Sequence, residues 1–207
     1  MIFLHFTNEI FIKVIYIFQE GKTSNIMADM IIENIVAATK IAKKIDIEYL
    51  VDAIQDSNYN PEEFPGLALH FNDPKTAALI FSNGEIICTG AKNIGEIEDS
   101  MIKTIDKIEE AGLSVIDEPD VEIQNIVASL DLKKRLNLVN IVMNPLLENV
   151  EYEPEKFPGL IYRIDESSVT LLIFGSGKIV CTGAKKIEGA SDAINTIKGK
   201  LNSMGVL

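Results

Sequence analysis

The chain repeats itself. FPGL occurs at 64–67 and 157–160, LIF at 79–81 and 172–174, and CTGAK at 88–92 and 181–185, each pair 93 residues apart. Aligning 64–92 with 157–185 gives 14 identities in 29 positions. Upstream, ENIVA at 33–37 matches QNIVA at 124–128 with an offset of 91. The two-residue difference falls between a short helix and the YNPEEF or YEPEKF segment, where a surface loop absorbs it. A period this long is not a solenoid unit, whose repeats run about 20–50 residues. Two tandem copies, 31–120 and 121–207, predict a duplicated half-domain and a pseudo-two-fold molecule.

Each copy reads the same way. Residues 31–40 favour a strand, and Ile47, Leu50, Val51 and Ile54 recur at i, i+3, i+4, i+7, as on one face of a helix. NYNPEEFPG at 58–66 is turn chemistry. LALHF, TAALIF and EIICTGA read as three strands joined by NDPK and SNG turns. A longer helix carries Ile94, Ile97, Met101, Ile105 and Ile108 and stops at Gly112. In the second copy Val139, Val142, Met143 and Leu146 mark the short helix, and Ala190, Ile194, Ile197, Leu201 and Met204 the long one. The order strand, helix, three or four strands, helix, twice over, predicts an α+β fold with an antiparallel sheet and four helices.

Alternation along these strands splits the side chains into two sets. Ile35, Ala37, Ala78, Ile80, Ile86 and Cys88 can pack under helices. The opposite set is also largely apolar: Val36, Leu79, Phe81 and Ile87, with Val127, Leu172, Phe174 and Val180 in the second copy. An antiparallel face turned to water should instead be polar. Four helices can cover one face only, so the other meets a partner, a second core layer or a second copy of the chain in a free-state dimer.

Several chemistries are excluded. The two histidines are His5 and His70, and no H-E-x-x-H, G-x-S-x-G, C-x-x-C or Walker-type sequence occurs. Cys88 and Cys181 lack neighbouring ligands and read as small buried hydrophobes. The acidic clusters Glu62-Glu63, Glu96-Glu98-Asp99 and Asp117-Glu118 read as solvated surface. No catalytic residue, metal or cofactor is expected. Two cysteines in 207 residues suit a reducing compartment, so the location expected is cytoplasmic. No run reaches the about 18 uninterrupted apolar residues of a membrane span. Residues 1–18 are apolar at 13 positions, but no Lys or Arg precedes Lys13 and no convincing cleavage site follows. Residues 1–26 read either as sequence upstream of the true start or as an anchor or packing strand, and 1–30 is set apart as an extension.

The paired motifs ENIVA/QNIVA, YNPEEFPGL/YEPEKFPGL and LIFSNGEIICTGAK/LIFGSGKIVCTGAK closely resemble the TATA-box-binding protein family, over about 31–205. The acidic balance looks like its archaeal branch. The resemblance implies a saddle: a curved ten-stranded sheet with four helices on the convex side and the minor groove of a TATA element on the concave side. It implies a general initiation factor, not an enzyme, that bends promoter DNA and recruits transcription factor B and, through it, RNA polymerase. Asn34, Asn125, Thr89 and Thr182 become the central polar contacts to base acceptors. Val36, Leu79, Ile87, Val127, Leu172 and Val180 press on sugars and base edges. Phe64 with Phe81, and Phe157 with Phe174, become wedges between base steps. Wedge insertion and strong kinking are known of this family and are not quantities derived from this sequence. Phosphate contacts are implied for Lys92, Arg163, Lys178 and Lys185, and a transcription factor B contact for Glu153 and Glu155. The rival, from a different class, is a duplicated α+β module that binds an apolar ligand or dimerises through its sheet.

Charge fits this resemblance unevenly. The chain carries −12 overall, which taken alone argues against nucleic-acid binding. Residues 31–120 hold 7 Lys or Arg against 18 Asp or Glu, whereas 121–207 hold 10 of each. His70 stands at the repeat position of Arg163, and Glu85 at that of Lys178. The ionic fringe of the first half is therefore expected to be weaker.

Overall fold

A computed structural model describes residues 30–116, 119–164 and 167–207. Residues 1–29, with His5, and the Asp117-Glu118 pair lie outside the described residues. The chain runs β1 (Met30–Lys40), α1 (Ile47–Ala53), β2 (Ser57–Asn58), β3 (Leu67–Asn72), β4 (Lys75–Ile80), β5 (Glu85–Ala91) and α2 (Ile94–Glu110). It then repeats as β6 (Val121–Asp131), α3 (Leu138–Val142), β7 (Val150–Glu151), β8 (Gly159–Arg163), β9 (Thr170–Phe174), β10 (Lys178–Ala184) and α4 (Ile187–Ser203). The turn segment expected at 58–66 thus opens on a two-residue strand, β2, paired with β3.

The ten strands of the described residues form one open antiparallel sheet in the order β2-β3-β4-β5-β1-β6-β10-β9-β8-β7. The order reads the same from either end once the repeats are exchanged, so β1 and β6 lie side by side at the pseudo-dyad. Both central strands carry bulges: the β1–β6 register shifts between Ile32 and Asn34 and between Val36 and Ala37. Glu33 and Gln124 are the extra residues there, and bulges bend and twist the strands that hold them. The sheet is a curved, unclosed saddle rather than a barrel.

The four helices of the described residues pack on one face of this sheet. Asn93 caps α2 by accepting from Glu96 N (3.0 Å), and the Glu96 carboxylate accepts from Lys92 N (2.7 Å), a reciprocal cap. Helix α2 stops as expected, with Leu113 N bonded back to Ile108 O just beyond Gly112. Its buried face is Ile97, Ser100, Met101, Thr104 and Ile108, and that of α4 is Ala190, Ala193, Ile194, Ile197 and Leu201. The core divides into one cluster per half, with Ile32 and Ile187 packed against both. Cys88 and Cys181 lie fully buried in these clusters, where desolvation pushes each thiol up to about 12. They remain protonated at neutral pH and act as packing groups.

One helix face differs from the expectation. In α3 the buried residues are Leu138 and Ile141, while Val139 is 57% exposed, and Met143 and Leu146 beyond the helix are 78% and 51% exposed. The reason is the cap: Asn137 accepts from Asn140 N (3.2 Å), just as Asp46 accepts from Tyr49 N (3.2 Å) ahead of α1. Aligned on these caps, Leu138 and Ile141 match the buried Ile47 and Leu50, so the expected stripe was one residue out of phase.

Candidate nucleic-acid interface

The sheet face without helices carries the second apolar set. Val36, Leu79, Ile87, Val127, Leu172 and Val180 are absent from both helix-side cores. Register sets Leu79 opposite Ile87, Leu172 opposite Val180, Val127 opposite Asn34 and Val36 opposite Asn125. Val127 and Leu172 are largely covered by their neighbours, and the other four are half-buried. The result is a continuous apolar strip along the saddle, broken at the dyad by two amides.

Those amides are oriented. Asn34 Oδ1 accepts from Gly90 N (2.7 Å), and Asn125 Oδ1 accepts from Gly183 N (2.7 Å). A threonine hydroxyl lies beside each amide, within reach of both its ends: Thr89 Oγ1 is 3.1 Å from Asn34 Nδ2 and 3.4 Å from Oδ1, and Thr182 Oγ1 is 3.3 Å from both Asn125 Nδ2 and Oδ1. The backbone bond fixes which end is oxygen, and it leaves each Nδ2 with a second proton to offer. Gly90 and Gly183 adopt φ of +100° and +87°, and a Cβ on either would lie within 3 Å of a backbone oxygen, Lys75 O at 2.9 Å or Ser168 O at 2.0 Å. Only glycine turns its N–H to the amide there. The CTGA motif thus supplies both the threonine and the glycine that hold each asparagine.

Four phenylalanines flank the strip. The rings of Phe64 and Phe81, and of Phe157 and Phe174, sit edge to face with centroids 5.7 Å apart in both pairs. Each pair is half-buried on its sheet rather than sunk in a core. The glycine of FPG makes the seat: a Cβ at Gly66 or Gly159 would lie 2.7 Å from Cε1 of Phe64 or Phe157. The rings therefore stand as paired, pre-positioned apolar edges at the two ends of the molecule.

The cations are less free than the sequence suggested. Lys178 Nζ is 3.7 Å from the Glu33 carboxylate, which also accepts from Ser129 Oγ (2.6 Å). Arg163 Nη1 pairs with Glu151 at 3.1 Å. Lys92 and Lys185 are exposed just ahead of α2 and α4, and among the described residues neither side chain has an ion pair. On the loop after β7, Glu153 pairs with Lys156 at 2.5 Å and Glu155 is exposed.

A family model described as "Transcription factor TFIID (or TATA-binding protein, TBP)" matches residues 29–111 and 120–204. The chain belongs to the TATA-binding protein family. It is 50% identical over 176 residues to a TATA-box-binding protein of Thermoplasma volcanium, covering 85% of this chain and 96% of that one. A TATA-box-binding protein of Archaeoglobus fulgidus is 48% identical, with the same coverage of each chain. The solved Methanococcus jannaschii TBP superposes with a TM-score of 0.75 at 43% identity, over 84% of this chain and 99% of that one. The relatives are named for binding DNA, not for an enzymatic reaction.

Two features of this TATA-binding protein fold escaped the sequence reading. The glycines of CTGA and FPG, present in both copies, act directly on the candidate interface residues, and their recurrence beside Thr89, Thr182, Phe64 and Phe157 was the available signal. The carboxylates Glu33 and Glu151 sit against the expected phosphate ligands, and nothing local in the sequence marks them. Among the described residues no helix is long and apolar enough to cross a membrane.

Proposed function

We propose that the helix-free face binds the minor groove of A·T-rich promoter DNA and that the protein serves as a general transcription initiation factor. The observation that carries this reading is the pair of oriented amides at the centre of an apolar strip. In the minor groove, A·T and T·A both present only acceptors, while G·C adds an amino donor. Asn34 and Asn125 offer donors, joined by the hydroxyls of Thr89 and Thr182, and the flanking Val, Ile and Leu side chains offer no acceptor for guanine. Phe64 with Phe81 and Phe157 with Phe174 enter base steps at the two ends and kink the duplex, with unstacking of about a few kcal/mol per step offset by the larger contact area. Lys178, Arg163, Lys92 and Lys185 take backbone phosphates, Lys178 and Arg163 by exchanging a carboxylate for a phosphate. The loop with Glu153 and Glu155 receives transcription factor B, through which RNA polymerase is recruited, and the protein acts at the nucleoid.

A mobility-shift titration with A·T-rich and G·C-rich duplexes of equal length tests the reading. Binding that favours the A·T-rich duplex is expected. Equal affinity for both, or no duplex binding together with saturable uptake of an apolar dye, overturns it in favour of an apolar-ligand module.

A further inference from the structure

The two halves place their cations on different strands. In the second half β6 ends on Asp131, directly opposite Lys178 at the start of β10. In the first half β1 ends on Lys40, directly opposite Glu85 at the start of β5. The pseudo-dyad relates these pairs, yet the charges are exchanged. Lys40 alternates with the buried Thr39 and follows Ala38, which faces Ile87 in register, so Lys40 projects from the helix-free face. Directly opposed residues have Cα atoms only about 4.5–5.5 Å apart. A four-carbon lysine stem therefore covers from β1 the place that a cation on β5 would serve.

The surroundings favour Lys40 as an available group. It is exposed, and among the described residues it makes no ion pair. Glu85 is engaged with Asn83, whose Oδ1 accepts from Glu85 N (3.0 Å) and whose Nδ2 donates to the carboxylate (3.4 Å). The position that Glu33 takes beside Lys178 belongs in the first half to the neutral Gln124, which donates to Glu122 (3.3 Å). In the second half Asp131 is committed to Lys133 (2.7 Å), whose hydrogen bond holds its carboxyl below the ordinary range. The loop after Lys40 is fastened to the β4–β5 hairpin by Ile41 N to Gly84 O and Ile45 N to Ser82 O, both 2.9 Å. That fastening carries the exposed Lys43 and Lys44 alongside, next to the hairpin that begins at Phe81.

We propose that Lys40, backed by Lys43 and Lys44, is a second backbone-phosphate site of the first half, apart from Lys92 ahead of α2. It is the counterpart of Lys178, moved one strand toward the dyad. The proposal rests on the helix-free face being the duplex surface. It means that the β1–β5 end of the first half keeps a phosphate ligand although Glu85 replaces the lysine that the second half has there.

Affinity for one A·T-rich duplex across a salt series tests it, with wild type, Lys40→Ala, Lys40→Arg, Lys178→Ala and the exchange variant Lys40→Glu with Glu85→Lys. Each phosphate contact contributes about −0.9 to the slope of log affinity against log salt. Lys40→Ala and Lys178→Ala should each flatten the slope by about that amount and weaken binding at low salt. Lys40→Arg and the exchange variant should keep the wild-type slope, because each retains one cation at the site. Lys107→Ala, on the helix side, should change nothing. Thermal unfolding without DNA should be alike for all. If Lys40→Ala keeps the wild-type slope while Lys178→Ala flattens it, Lys40 does not meet phosphate and the proposal fails, although the duplex reading stands. If wild type does not bind the A·T-rich duplex, the duplex reading fails and this proposal with it.

Discussion

Replacing Asn125 by Asp separates what its amide does for the fold from what it does for DNA. In the free protein Oδ1 accepts from Gly183 N at 2.7 Å, and Thr182 Oγ1 lies 3.3 Å from both ends of the amide. A carboxylate keeps the acceptor for Gly183, and the Thr182 hydroxyl can turn to donate to it. The change in folding stability should therefore stay within about 1 kcal/mol, the net worth of one hydrogen bond. If the amide faces the minor groove as proposed, the atom set against base acceptors changes from a donor to an anionic acceptor. An unpaired buried polar group costs about 1–3 kcal/mol, and more when charged. A loss of about 2–4 kcal/mol corresponds to roughly 30- to 700-fold in affinity at 1.4 kcal/mol per tenfold. Asn125→Ala should differ in kind, because it also strands the Gly183 N–H and lowers the unfolding temperature. Fluorescence-anisotropy titration of an A·T-rich duplex, paired with thermal unfolding of the free protein, reads both quantities. If the Asp variant binds within about threefold of wild type, the amide does not donate into the groove. If it unfolds as early as the Ala variant, the separation of roles is wrong.

Under the proposed wedge role, replacing Phe157 and Phe174, whose rings stand edge to face, together by Ala should weaken duplex binding and reduce the bend in step; energy transfer between end-labelled duplex termini measures the bend, and an unchanged bend rejects that role. Glu153→Arg with Glu155→Arg should spare the binary DNA complex and lose the ternary complex with transcription factor B, since reversed charge sets like charges against a basic partner surface; equal ternary assembly in a supershift assay would exclude that contact. Ile141→Ala should cost about 2–4 kcal/mol in denaturant unfolding, whereas Met143→Ala should stay within about 0.5 kcal/mol, because only the first side chain is buried; comparable losses would restore the out-of-phase helix face.

Much of this protein is legible along the chain because its determinants are local. Alternation in EIICTGA and KIVCTGA marks the strands and sorts Ile87 and Val180 from the buried Ile86 and Ile179. Repetition of that pattern 93 residues later supplies the pseudo-symmetry, and an apolar set that four helices cannot reach points to a partner surface. Asn34, Asn125 and the four phenylalanines stand in short repeated motifs, and it is the family resemblance those motifs carry that singles them out. Helix α3 lies at the limit of this approach. Its five residues span less than two turns, so several apolar stripes fit equally well until Asn137 caps the helix and the core selects Leu138 and Ile141. The ionic pattern of the interface lies beyond it. Glu33 meets Lys178, Glu151 meets Arg163 and Lys40 faces Glu85 only because distant strands pair in one particular register. Side-chain periodicity is a property of a few consecutive residues, whereas register is chosen by bulges and core packing across the whole sheet. The chain by itself therefore determined the elements and the uncovered face, and the tertiary structure decided which charges on that face are paired and which stand free.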